Sequence, residues 1–423
     1  MKRHTNVAVC KAHGRVASFG EQVARIELGG AGWLATDGPV GPAAISDPAA
    51  DILDLAGVVF RIERQLPRRA ASNPNVRYEL TVPLRDPAAW EGRPRELVQE
   101  LLGFLGNAVW AVHFVEGPRR LIETDRSQWR EQRVNRVALL SGGLDSASGA
   151  GAGLVSPADT QLCSFYTRQR TLQRDLAANL GFASPTQWRQ HIAAGPGRSF
   201  FYRSFLFLSL GAATAVTWGA REVVQFENGI LASAIPPVPS IAMTRHAHPK
   251  LHRLFGELLQ CVLGGTWQIS NPLWQMTKRE AVQAFERNLG TRRAKQIAAA
   301  TQSCWNLAAP HAFGVRTLGK STKLANEQCG VCVPCIVRRT ALPQERFAFD
   351  LRRPTVQNHP KLGSYFLEYL ELVSMVRATT TTAELRTKLP AEARDLIDEG
   401  WSDLGALERL LRQFAEEFFE TFF

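Results

Sequence analysis

A short apolar stretch, Val137-Ala138-Leu139-Leu140, runs straight into Ser141-Gly142-Gly143-Leu144-Asp145-Ser146 and then into a run of small residues. That order reads as a strand, a tight turn and a helix start. From Arg136 onward, short apolar segments alternate with longer helical ones, the pattern of a parallel sheet covered on both faces. Residues 161–166 are expected as a second strand and 223–226 as a later one, with helices over 168–180 and 204–218 between them. The fold class expected for this part is α/β, a Rossmann-like parallel sheet.

The flanking segments have other patterns. At 423 residues the chain exceeds one ordinary core, so two or three domains are expected. Residues 1–130 read as an accessory α+β domain. Strand-like alternation appears at 23–28, 58–63, 76–82 and 108–115, with a helical stretch from Pro94 to about Leu105. Beyond about residue 361, apolar side chains recur with a helical period, so 351–423 is expected to be a helical C-terminal appendage. The central domain is then 131–350.

A net charge of +11 makes anionic partners plausible, but the arginines are scattered and no basic run is interleaved with aromatics. Nucleic acid is therefore possible and not favoured. No stretch of about 18 apolar residues is available to span a bilayer, and the first residues do not resemble a signal peptide. A cytoplasmic protein with no membrane partner is expected. Seven cysteines in such a chain argue against a disulfide framework.

Two clusters carry chemistry. Glycines at 142 and 143 let backbone N–H groups converge on an anion with no Cβ in the way, and a following helix start adds partial positive charge. Ser141 and Ser146 can add hydroxyl donors, so a pyrophosphate fits. Asp145 can organise Mg²⁺ beside the phosphates or hold the loop through an Asx-type hydrogen bond. Cys329-Gly330-Val331-Cys332-Val333-Pro334-Cys335 places three thiols three residues apart, with Cys304 upstream. Four thiolates saturate a tetrahedral Zn²⁺, so such a site is structural, and its binding energy, roughly 10 kcal/mol or more, is folding energy. An iron–sulfur cluster and spare buried thiols are the rival readings.

The whole hexapeptide behind an apolar strand resembles the pyrophosphate (PP) loop of the N-type ATP pyrophosphatases, whose nucleotide fold is of the PP-loop/HUP type. Its pairing with Cys304, the CGxCxxC run and Arg338 is similar to the 7-cyano-7-deazaguanine (preQ0) synthases, the QueC-like family. Residues 203–212, Asn271-Pro272, Thr277-Lys278-Arg279-Glu280 and Thr301–Cys304 resemble further segments of that family, so the likeness covers about 135–345.

The resemblance implies ATP, Mg²⁺ and structural Zn²⁺. Residues 141–146, meaning Ser141, Gly142, Gly143, Leu144, Asp145 and Ser146, would hold the nucleotide, with Tyr166 and Arg203 as further contacts. Lys278 would neutralise phosphate charge as the α–β bond breaks. Glu227, beside Asn228 at a strand end, would contact a purine-like ring, or the pair would cap the loop. Cys304, Cys329, Cys332 and Cys335 would hold the zinc. The implied reaction is AMP-forming and pyrophosphate-forming activation of a 7-deazaguanine carboxylate, followed by C–N bond formation. The chain departs from the family at 235–249, where His246 and His248 lie in a rewritten stretch. Residues 1–130 and the helical tail are additions, and they resemble the larger QueC-like proteins of bacterial antiphage systems, the Qat type (QatC-like) and one CBASS class. Those additions imply that an amine of a partner protein from the same defence system attacks the acyl adenylate. The alternatives are free preQ0 synthesis with ammonia and a non-catalytic nucleotide-binding scaffold.

Overall fold

The computed structural model describes residues 7–14, 22–29, 33–65, 76–120, 122, 124, 133–165, 169–190, 201–236, 243–304, 328–360 and 362–423. Strands β1 (Val7–Gly14), β2 (Gln22–Glu27) and β3 (Ala35–Asp37) precede helix α1 (Asp47–Gln65), which is followed by β4 (Val76–Leu84), α2 (Arg93–Gly106) and β5 (Val109–Glu116). An α/β run follows: β6 (Arg136–Leu139), α3 (Leu144–Gly151), β7 (Thr160–Phe165), α4 (Arg170–Asn179), β8 (Thr186–Arg189), α5 (Arg203–Trp218) and β9 (Glu222–Val224). Then come α6 (Gly229–Ala232), α7 (Pro249–Leu263), β10 (Gln268–Ser270), α8 (Lys278–Leu289) and α9 (Thr291–Ala300). The last described part is helical: α10 (Val333–Ala341), α11 (Pro354–Gln357), α12 (Ser364–Ala378), α13 (Thr382–Lys388), α14 (Ala391–Asp398) and α15 (Leu404–Phe422).

The chain forms two compact units, each assembled from separated stretches. The first comprises Met1–Ser141, Ser156–Gln225 and Thr244–Asn271, and it contains both sheets. The larger sheet has the order β10-β9-β6-β7-β8-β3. Its strands are parallel from β10 to β8, with β3 antiparallel at the edge, Ala35 opposite Arg189. Buried apolar residues such as Val137, Ala138, Leu162 and Cys163 fill the middle strands, as a sheet covered on both faces requires. A four-stranded sheet, β2-β1-β4-β5, is antiparallel except for the β4–β5 pair. β2 alternates between exposed and buried residues, because one face of this sheet is open to solvent. The fold is thus α/β with mixed sheets that include parallel strands.

One expectation is overturned. Residues 58–63 lie in α1 and form no strand. Val58-Val59-Phe60-Arg61-Ile62-Glu63 fits either period over six residues. The longer segment decides, because Asp51 and Asp54, three residues apart, both reach Arg85 Nη1, at 2.8 and 2.6 Å. A strand would send them to opposite faces, whereas a helix puts them on one.

The second unit comprises Gly142–Val155, Phe226–Met243 and Pro272–Phe423. Its main core joins Cys335, Ile336 and Val337 of α10 to Phe366 and Tyr369 of α12 and Phe414 and Phe418 of α15. The Phe366 and Phe418 rings stack with centroids 5.4 Å apart. Among the described residues no helix is long and apolar enough to cross a membrane.

Candidate active site and metal centre

After β6 the chain turns at Gly142, whose φ of 90° lies in the left-handed region that only glycine adopts cheaply. Gly143 is the N-cap of α3, and Ser146 donates its hydroxyl to the Gly143 carbonyl at 3.0 Å. The turn is clasped from outside. Gln302 N–H donates to the Gly142 carbonyl at 3.0 Å, and Leu144 N–H donates to the Ser303 hydroxyl at 3.3 Å. The first N–H groups of a helix have no partner within it, so Ser303 satisfies one that α3 leaves open. Ser141, just before the turn, is exposed, and its carbonyl accepts from Gln173 Nε2 at 3.3 Å.

Asp145 sits in the first turn of α3 and is buried. Its Oδ2 accepts from Lys278 Nζ at 2.8 Å and from Asn228 Nδ2 at 3.2 Å. Its Oδ1 is buried and has no hydrogen-bond partner among the described residues. Buried carboxylate oxygens are nearly always paired, so the bare one is an open position for a cation or a donor. Lys278 is the first residue of α8 and only 2% exposed. A cation is disfavoured at a helix N-terminus and in a dry interior, so the Asp145 carboxylate is what makes this placement tolerable. Thr277 and Glu280 form a capping box around it, which fixes where α8 begins.

The four expected metal ligands come together. The Sγ atoms of Cys304, Cys329, Cys332 and Cys335 all lie within 4.8 Å of one another. The Cys329–Cys335 and Cys304–Cys332 sulfurs are 3.9 Å apart. A tetrahedral zinc with bonds of about 2.3 Å would hold its sulfurs about 3.8 Å apart, so the set fits such an ion. Cys329 N–H points at Cys304 Sγ (3.3 Å) and Val331 N–H at Cys329 Sγ (3.4 Å), which favours thiolates. Hydrogen bonds from Cys329, Cys332 and Cys335 pull the Cys304 thiol down, while the same crowd, Cys304 first, pushes Cys335 up. Four such thiols cannot all ionise without a cation. The cluster can therefore hold a metal such as zinc.

Arg338 links this centre to the turn. It is fully buried and forms a two-pronged pair with Glu345 at 2.6 and 2.7 Å. It also donates to the hydroxyls of Thr301 (2.7 Å) and Ser303 (3.3 Å) and to the Ala298 carbonyl (2.8 Å). Gln328, next to Cys329, accepts Ser303 N–H at 3.1 Å.

The remaining expected residues fall elsewhere. Glu227 is half-buried in the loop after β9, and the residue that reaches Asp145 is its neighbour Asn228, which also caps α6. Arg203 opens α5 and donates Nε to His246 Nε2 at 2.8 Å, and His248 caps α7. Tyr166 lies outside the described residues. Sequence reasoning did not find Ser303 and Gln302 as clasps of the turn. Their signals were their position beside Cys304 and the likeness of the Thr301–Cys304 segment, neither of which points to the turn. No model of a known protein family matches this chain, and no curated protein compared with it matches.

Proposed function

We propose that this chain is an ATP-dependent, AMP-forming ligase built on a PP-loop nucleotide fold. A carboxylate oxygen of a 7-deazaguanine-type acid attacks the α-phosphorus of ATP, and the bond to the β-phosphate breaks to release pyrophosphate. An amine, supplied by a partner protein of an antiphage system, then attacks the acyl carbon. It loses a proton and expels AMP to leave an amide. The sequence likeness to the QueC-like enzymes supports the substrate class and the order of events.

The observation that carries the reading is Asp145, with one oxygen held by Lys278 and Asn228 and the other buried and bare. The bare oxygen, beside a carboxylate oxygen already held by a lysine, is the open position that a site taking Mg²⁺ needs. Asp145 would hold the ion, which offsets charge on the phosphates. Lys278 would neutralise the charge that develops on the departing pyrophosphate, and the glycine turn would supply N–H donors. Zinc on the four cysteines would keep residues 301–304 in place and take no part in bond making.

Pyrophosphate release tests the reading: the protein is incubated with ATP, Mg²⁺ and carboxy-deazaguanine, with and without co-purifying proteins. Release that depends on the acid is expected, together with an intact-mass increase on an acceptor protein. No pyrophosphate under any of these conditions would overturn it.

A further inference from the structure

The two residues that hold Asp145 stand on elements braced by one helix, α15. Thr277, the N-cap of α8, donates its hydroxyl to Oε1 of Glu417 at 2.7 Å, and Gln413 Nε2 donates to the same oxygen at 3.1 Å. The same Thr277 hydroxyl accepts Glu280 N–H at 3.1 Å, so it joins α15 to the capping box that starts the lysine's helix. Arg279, next to Lys278, donates to the Glu417 carbonyl and the Thr421 hydroxyl, each at 3.2 Å, and pairs with Glu420. Arg409 reaches Glu280 at 2.8 Å and also the Gln275 carbonyl.

The asparagine side is braced too. A Cβ on Gly229, the residue after Asn228, would lie 2.7 Å from Leu410 Cδ2 and 2.3 Å from the Trp274 carbonyl. α15 therefore touches the backbone that carries each of the two donors to Asp145.

Glu417 is an expensive way to join two helices. It is 1% exposed, burial raises its pKa, and its Oε2 has no hydrogen-bond partner among the described residues. Apolar residues would hold helices together at less cost than a buried carboxyl with an unsatisfied oxygen. What an apolar pair cannot do is fix the Thr277 hydroxyl, and with it the point at which α8 begins and the direction in which Lys278 leaves the backbone.

We propose that α15 is a positioning element of the candidate site, and that Glu417, acting through Thr277, sets the Lys278 ammonium against Asp145. Its consequence for turnover rests on the adenylation reading above, whereas its consequence for Lys278 does not.

Both are measured on the full chain. Amine acetylation mapped by mass spectrometry reads Lys278 without any need for activity. In Glu417→Ala, labelling of Lys278 should rise about tenfold while Lys250 is unchanged. In the acid-dependent pyrophosphate assay, kcat should fall by about 10- to 100-fold with little change in KM for ATP, as for a misplaced charge. Glu417→Gln, which keeps the acceptor oxygen, should restore both readouts to within about twofold of the parent. Should Glu417→Ala not fold, Thr277→Val against Thr277→Ser makes the same comparison. The proposal is overturned if Lys278 stays as protected in the alanine variant as in the parent, or if glutamine fails as badly as alanine. If the parent releases no pyrophosphate, the adenylation reading fails alone, and the labelling still decides the role of Glu417.

Discussion

Leu144 N–H and the Ser303 hydroxyl meet at 3.3 Å, and Ser303 lies one residue before Cys304 of the cluster that can hold a metal. The first helical turn after the glycine loop is thus tied to the cysteine cluster through two adjacent residues. Arg338, buried on the helix that carries Cys335, also donates to the Ser303 hydroxyl. A structural metal here would keep the clasp of the turn in place.

Cys332→Ser tests that link. Zinc content should fall from about one equivalent per chain toward none, with a lower melting temperature, because a four-thiolate site stabilises the fold by binding energy. ATP affinity should weaken with it. Cys261→Ser, a thiol exposed and outside the cluster, should change none of these. Metal analysis, thermal melts and nucleotide titration on the same samples check the prediction, and a Cys332→Ser protein with full zinc would refute the ligand assignment.

The Asp145–Lys278 pair should show a strong double-mutant coupling. Asp145→Leu strands a buried ammonium and should cost about 3–5 kcal/mol of stability as well as turnover. Replacing both, as Asp145→Leu with Lys278→Met, should recover much of the stability and none of the activity. Urea unfolding of the two singles and the double separates these effects, and additive losses would mean that the pair is not coupled.

Acid should weaken the first unit through His252. Burial pushes this imidazole down from its usual 6.5 to about 4, and its Nε2 lies 3.1 Å from Gln225 Oε1. A depressed folded pKa means that the unfolded chain takes up the proton first. The contribution to stability is therefore complete above about pH 6.5 and lost progressively as pH falls toward 4, by about 3 kcal/mol in all. His252→Gln should make the melting temperature fall less steeply between those values. An unchanged slope would show that His252 does not govern it.

Much of this was legible in the residues. The strand before Ser141, the glycine turn, the helix starting at Leu144 and the trio Cys329, Cys332 and Cys335 follow from local spacing, whereas Cys304, 25 residues upstream, was expected from the resemblance. The helices near the C-terminus were legible as well, since their apolar period runs over many turns. Residues 58–63 misled because six residues carry too little periodicity to separate a strand from a buried helix.

Other features belong to the tertiary structure alone. That Asn228, and not Glu227, meets Asp145 depends on which way a loop turns at the end of a strand. That Glu417 meets Thr277 depends on two helices 140 residues apart in sequence coming into register, and no local pattern encodes such a contact. The sequence by itself determined the chemistry on hand: a glycine turn, a carboxylate, a lysine and four thiols. Only the packed structure decided which oxygen of Asp145 is held and which is left bare, because that choice is made by donors arriving from distant parts of the chain.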